Sequence, residues 1–223
     1  MVWHAERRTG LVLAAIAAAL AVSPAASASS HAAAASPCPS CGHNLIQNPG
    51  AETGKGANGD TVVTVPDWKQ TAGFTAALYS WSGGDLSAKT PGPKDRGKNY
   101  FYGGPSSAQS TGTQVIAVAP GGISSGTVDY ALSGWLGGFD SQADYAVLRL
   151  TFEDASGKAI ATTQIGPVTE TQRKGASELL YRSDTGTVPA ATEQIKVELI
   201  MVRKSGSDDD GLADNLSLVL TST

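Results

Sequence analysis

Two short segments carry the oxygen-bearing residues best placed to do chemistry. One is Asn44-Leu45-Ile46-Gln47-Asn48-Pro49-Gly50-Ala51-Glu52; the other runs from Asp208-Asp209-Asp210-Gly211 through Leu212-Ala213-Asp214-Asn215-Leu216-Ser217-Leu218. Calcium takes about six to eight oxygens, drawn from carboxylates and from main-chain carbonyls that turns expose. Both segments could supply such groups, but composition alone does not pair them, and Asp208–Asp210 reads as a solvated hairpin tip. Other chemistries find less to work with. Beyond residue 28 the only histidines are His31 and His43, which leaves the many serines without an embedded base and a zinc enzyme without its usual ligands. A glycosidase needs only two carboxylates across a cleft. Glu153, Asp129 and Glu198 fall on outward positions of predicted strands, yet no spacing singles out an acid and a base. Cys38-Pro39-Ser40-Cys41 could be a redox pair or half a zinc site. With no second pair and an oxidising compartment expected, a local disulfide is the favoured reading.

Strands must position these groups. From residue 42 onward no amphipathic helix is visible; β-rich runs recur between clusters of Gly, Pro, Asn and Asp. Predicted strands cover 44–48, 61–65, 74–80, 99–102, 113–119, 127–135, 145–153, 160–165, 177–182, 194–203 and 213–220. Ala146, Leu148, Leu150 and Phe152 alternate with Val147, Arg149, Thr151 and Glu153. Ile195, Val197, Leu199 and Met201 alternate with Lys196, Glu198, Ile200 and Val202. That period predicts an all-β antiparallel sandwich with one buried and one solvated face per sheet. Ile200 and Val202, on the outer side, would need a loop or the N-terminal segment to cover them.

The N-terminus predicts export. Arg7 and Arg8 precede an apolar run from Leu11 to Val22, and Ala26-Ser27-Ala28 supplies a small-residue cleavage site. The run is too short for the roughly 20 residues that span a bilayer. Residues 1–28 therefore read as a signal peptide, by the general or the twin-arginine route, and 29–41 as an Ala/Ser/Pro linker carrying the C-x-x-C. Residues 42–223 form one domain, secreted or bound to the cell envelope. The net charge of −4 is evenly scattered and does not favour nucleic acid or an anionic membrane as partner. No second long apolar stretch predicts a membrane span after signal removal.

Asn48-Pro49-Gly50-Ala51-Glu52 resembles the N-P-G-x-E opening of galactose-binding-like jelly rolls, the fold of many bacterial carbohydrate-binding modules. Ala213-Asp214-Asn215-Leu216-Ser217-Leu218 resembles their closing strand, with its D-N-[VL]-x-[LV] pattern. The resemblance covers most of residues 42–223 and implies a jelly roll. It further implies one structural calcium held by the side chains of Glu52 and Asp214, and a non-catalytic role in binding carbohydrate or a cell-surface glycan. In such modules exposed aromatics stack on sugars, and the candidates here are Trp135, Trp81, Tyr100 and Tyr102. Trp135 shares its period-two face with Asp129, Ala131 and Ser133, away from Val128, Tyr130 and Leu132. Trp68, after Pro66-Asp67, reads as core-capping. An extracellular protein partner or an envelope-structural role is the alternative, and a small carboxylate-based hydrolase or lyase a further one.

Overall fold

The computed structural model describes residues 38–223, apart from positions 72 and 120. The predicted signal peptide and most of the predicted linker lie outside the described residues. Among the described residues, ten strands form two antiparallel sheets. In chain order they are β1 (Lys69–Thr71), β2 (Thr75–Leu78), β3 (Asn99–Gly104), β4 (Gln109–Ala117) and β5 (Val128–Gly138). There follow β6 (Tyr145–Glu153), β7 (Ala159–Ile165), β8 (Glu178–Thr187), β9 (Gln194–Val202) and β10 (Asp209–Ser222). Sheet 1 has the order β1-β4-β9-β6-β7 and sheet 2 the order β2-β3-β10-β5-β8, a jelly-roll arrangement in which the chain crosses repeatedly between sheets.

The alternation read from the sequence is the packing that occurs. Leu148 and Leu150 of β6 and Ile195, Val197 and Leu199 of β9 are fully buried against Leu132 and Leu136 of β5 and Leu216, Leu218 and Leu220 of β10. Trp68 caps this core with its ring edge-on to Phe101, centroids 5.3 Å apart, and its indole N–H donates to the Asn48 carbonyl. Ile200 is buried despite its outward position.

Two predicted strands are not strands. In 44–48 the asparagine side chains take over the pairing: Asn44 Nδ2 donates to the Leu216 carbonyl, and its Oδ1 accepts from the Ile46 and Leu218 amides. Residues 61–65 are held by Gln70, whose Oε1 accepts from the Val65 amide while its Nε2 donates to the Val63 carbonyl. The domain also begins earlier than residue 42. Cys38 and Cys41 are joined by a disulfide and packed against the core, and Cys41 bridges Leu220 of β10. No helix among the described residues is long and apolar enough to cross a membrane.

Candidate functional site

The opening and closing motifs meet. Asn48 and Ala51 both have left-handed backbone, with φ of 48° and 56°, which curls residues 48–52 into a compact turn. Asn48 tolerates that conformation and stabilises the turn, accepting from the Thr53 amide at 2.9 Å and donating to the Pro66 carbonyl at 3.0 Å. The Leu216 amide donates to the Pro49 carbonyl at 2.9 Å, which fastens the turn to β10. There β10 bulges between Asp214 and Ser217, with Asn215 left-handed at φ 47°.

A Cβ on Gly50 would lie 3.3 Å from Asp214 Oδ1 and 3.2 Å from Asn215 Oδ1, so only a bare backbone approaches these oxygens. A Cβ on Gly97 would overlap the Glu52 carboxylate. Glu52 Oε1 accepts from the Lys98 and Asn99 amides at 2.8 and 2.7 Å. Asp214 is fully buried; its Oδ2 accepts from the Tyr79 hydroxyl at 2.7 Å and its Oδ1 from the Asn215 amide at 2.7 Å. Burial pushes the Asp214 carboxyl up to about 7, and the nearby Glu52 charge adds to this. Two carboxylates and an amide oxygen, closed in by two glycines, suit a hard cation in their donor chemistry. Among the described residues no three His, Cys, Asp or Glu side chains are grouped to hold a metal, so main-chain or water oxygens would have to complete any shell.

The other candidate residues lie on the outer face of sheet 2. Trp135 of β5 points away from the core and is half-buried, with Asp214 and Tyr181 as its strand partners. Tyr181 of β8 is 51% exposed, and the two rings meet edge-on with centroids 5.7 Å apart. Along the same face run Ser133, Ala131 and Asp129 of β5 and Ser183, Thr185 and Thr187 of β8. A groove of about 400 Å³ lies at that far end, with Asp129, Thr185, Thr187 and Thr221 among its walls. Tyr181 was not among the sequence candidates; its signal is that it alternates with Ser183, Thr185 and Thr187, so it shares their outward face.

Tyr100 and Tyr102 share that outer face but are only 0% and 2% exposed. Neither offers a ring to a ligand in this structure, because the β2–β3 loop, residues 79–98, lies over them. Leu86 of that loop packs into one apolar cluster with Tyr100, Tyr102, Leu179 and Leu212, and half-buried Trp81 packs against the same cluster.

At the expected solvated tip Asp208–Asp210, only Asp208 is partly exposed. Asp209 is 0% and Asp210 4% exposed, because β10 begins at Asp209 and pairs there with β3 through an irregular register. Asp85 of the loop and Asp210 lie near enough to act on one another, with Asp208 and Asp60 also acting on Asp85. Burial first, then these like charges, pushes Asp85 up to about 8; burial and Asp144 push Asp210 up to about 7.

The three carboxylates on which a hydrolase could have been built do not converge. Glu153 and Glu198 stand on sheet 1 and flank Lys196 at 4.0 and 3.5 Å, while Asp129 is on sheet 2, accepting from the Thr187 hydroxyl.

No protein-family model matches the sequence, and no curated protein matches it. Among solved structures, a cyclase from Fischerella sp. TAU in complex with 4-(1H-indol-3-yl)butan-2-one aligns with 81% of this chain and 98% of its own, at 15% identity and a TM-score of 0.54. TmCBM61 in complex with β-1,4-galactotriose aligns over 79% and 98% of the two chains, at 14% identity and a TM-score of 0.46. A family 16 carbohydrate-binding module aligns over 79% and 99%, at 18% identity and a TM-score of 0.47. The chain is a two-sheet antiparallel jelly roll, similar in fold to the Fischerella cyclase.

Proposed function

We propose that this protein is a secreted, non-catalytic module that binds carbohydrate on the outer face of sheet 2 and carries a structural calcium at Glu52 and Asp214. The observation that carries the reading is the Trp135–Tyr181 step. Two large rings in edge contact stand at the open end of a face otherwise made of Ser, Thr, Ala and Asp. An aromatic ring stacks on the apolar face of a pyranose, while hydroxyls and a carboxylate alongside it meet the sugar's own hydroxyls. From Trp135 to Asp129 the strand runs about 20 Å, which suits an extended chain better than a single small molecule.

The test is retention on a panel of soluble polysaccharides, by affinity electrophoresis of the secreted protein. Trp135→Ala and Tyr181→Ala are each expected to weaken binding to the retained glycan by about tenfold or more, roughly 1.4 kcal/mol. Tyr181→Ala should leave the thermal midpoint nearly unchanged, because half of that ring is already in solvent. No retention on any glycan by folded protein would sink the proposal and turn attention to an extracellular protein partner. Polysaccharide turnover during the assay would sink its non-catalytic half.

A further inference from the structure

The outer face of sheet 1 carries a guanidinium that the fold leaves unengaged. Cross-strand pairing sets Lys69 of β1, Thr113 of β4, Glu198 of β9, Arg149 of β6 and Gln164 of β7 in one row across all five strands. The next row holds Val115, Lys196, Thr151 and Thr162. Strand alternation turns these side chains away from Leu148, Leu150, Val197 and Leu199 of the core. The middle of the face is nevertheless closely packed: Val147, Thr151, Glu153 and Ile200 expose less than a tenth of their surface. Arg149, between Val147 and Thr151 on β6, is half-buried among them.

Glu198 is the direct cross-strand partner of Arg149, yet its carboxylate lies 3.5 Å from Lys196 Nζ. Glu153 turns to the same ammonium at 4.0 Å and accepts from Gln194 Nε2 at 2.9 Å. Both carboxylates that the strands put on this face are thereby engaged by one lysine. Among the described residues, the guanidinium hydrogen bonds are those of Arg96, Arg173, Arg182 and Arg203, and the ion pairs those of Lys196; Arg149 has neither. Lys69, exposed at the end of the row, has no ion pair either. Lys69, Lys196 and Arg149 thus stand against Glu153 and Glu198, an excess of positive charge on one face of a chain whose net charge is −4.

A guanidinium presents its N–H donors in a planar fork that fits both oxygens of a carboxylate, and a half-buried one has already shed part of its water. Beside it Thr113, Thr162 and Gln164 offer hydroxyls and an amide, which suit the hydroxyls of a sugar. The exposed apolar side chains of this face, Val115 and Ile160, stand on β4 and β7 with β9 and β6 between them. They form no pocket for the side chains of an acidic peptide. We propose that the outer face of sheet 1 is a second binding face, for a polyuronate chain, with Arg149 holding a uronate carboxylate and Thr113, Thr162 and Gln164 meeting the sugar hydroxyls. Lys69, three strand spacings or about 14 Å from Arg149, adds a point charge for a further carboxylate of the same chain. This face lies on the other sheet from Trp135 and does not depend on the binding role proposed there.

The test is affinity electrophoresis of the folded protein in gels containing polygalacturonate or alginate. Chelator and about 0.15 M salt keep calcium bridging and long-range attraction from holding the polymer. Retardation is expected in at least one of the two gels, and none with the carboxyl-reduced form of that polymer. Arg149→Ala should weaken binding about tenfold or more, while Arg149→Lys, which keeps the charge without the fork, should restore only part of it. Trp135→Ala should leave it unchanged. Wild-type protein that runs unretarded through both polyuronates would overturn the proposal, as would equal retardation by a carboxyl-reduced polymer or by polyglutamate. So would an Arg149→Ala protein that is retarded like the wild type, or a Trp135→Ala protein that loses the polyuronate. If Arg149→Ala lowers the thermal midpoint and so fails to fold, Arg149→Lys and the carboxyl-reduced comparison decide the matter. Failure of the sheet 2 reading shows instead as a lack of Trp135-dependent retention, so the two remain distinguishable.

Discussion

Arg173 is 1% exposed, yet among the described residues no carboxylate forms an ion pair with it. Its guanidinium instead gathers main-chain carbonyls, donating from Nη1 to Asp140 and Ala176 and from Nη2 to Gln142, all at 2.5–2.7 Å. Burial holds its pKa below the usual arginine range, with Glu170, Glu178, Asp144 and Asp140 opposing that shift. The planar fork holds together the loops that follow β5 and β7, which a lysine cannot reproduce. Arg173→Lys is expected to cost about 2–3 kcal/mol in urea unfolding, the desolvation penalty of carbonyls left unpaired; an unchanged midpoint would show that water replaces the fork. Nothing in Thr171-Gln172-Arg173-Lys174 marks that arginine in the sequence, because its partners are carbonyls, which every residue type carries alike. The meeting of the 48–52 turn with β10 at Asp214 was legible for the opposite reason. The turn formers around it, Asn48, Gly50 and Asn215, are residue types that the left-handed positions and close approaches demand.

At the level of elements, the bulge in β10 brings Asp214 against the 48–52 turn. A cation shared by Glu52 and Asp214, as proposed, would clasp the start of the domain to its central strand. Calcium in hundredfold excess over its dissociation constant should then raise stability by about 2.7 kcal/mol, with Glu52→Gln removing the response. An identical thermal midpoint in calcium and in chelator would count against the site. Period two was enough to place Trp135 on the outer face, since strand alternation is a local property. It also put Tyr100 and Tyr102 on one face of β3, opposite Phe101, but not under cover. Their burial depends on Leu86, on a loop that shows no periodicity, folds back over its own strand β3 and reaches Leu179 of β8. The same limit hid Asp210. A run of three aspartates reads as solvated until a strand register, set by β3 and β5, draws it inside.

The whole molecule carries acids shifted in both directions. Asp209 is pushed up to about 7 by burial, in the same sense as Asp85 and Asp210. Such groups stabilise the fold fully below the ordinary carboxylate range, near pH 4, and that contribution is lost as pH rises through about 7 to 8. Asp184 is held low, chiefly by the Thr163 hydroxyl at 2.7 Å with Tyr130 also donating; its contribution is lost as pH falls through its depressed value. Stability measured by urea midpoint in chelator should therefore be greatest in mild acid. It should decline toward about pH 9 by on the order of 2 kcal/mol. A midpoint that rises steadily over that range would contradict the burial of these acids.

The position of β10 has a bearing on how the chain reaches this state. The strand runs over residues 209–222, yet it lies in the middle of sheet 2, paired with β3 on one side and β5 on the other. Synthesis proceeds from the N-terminal end, so β3 and β5 are made long before the strand that joins them. Until residue 222 has emerged they stand with open edges and an uncovered apolar face. Sheet 2 can therefore close only once β10 stands between β3 and β5, and the edges it will fill are open to wrong partners until then.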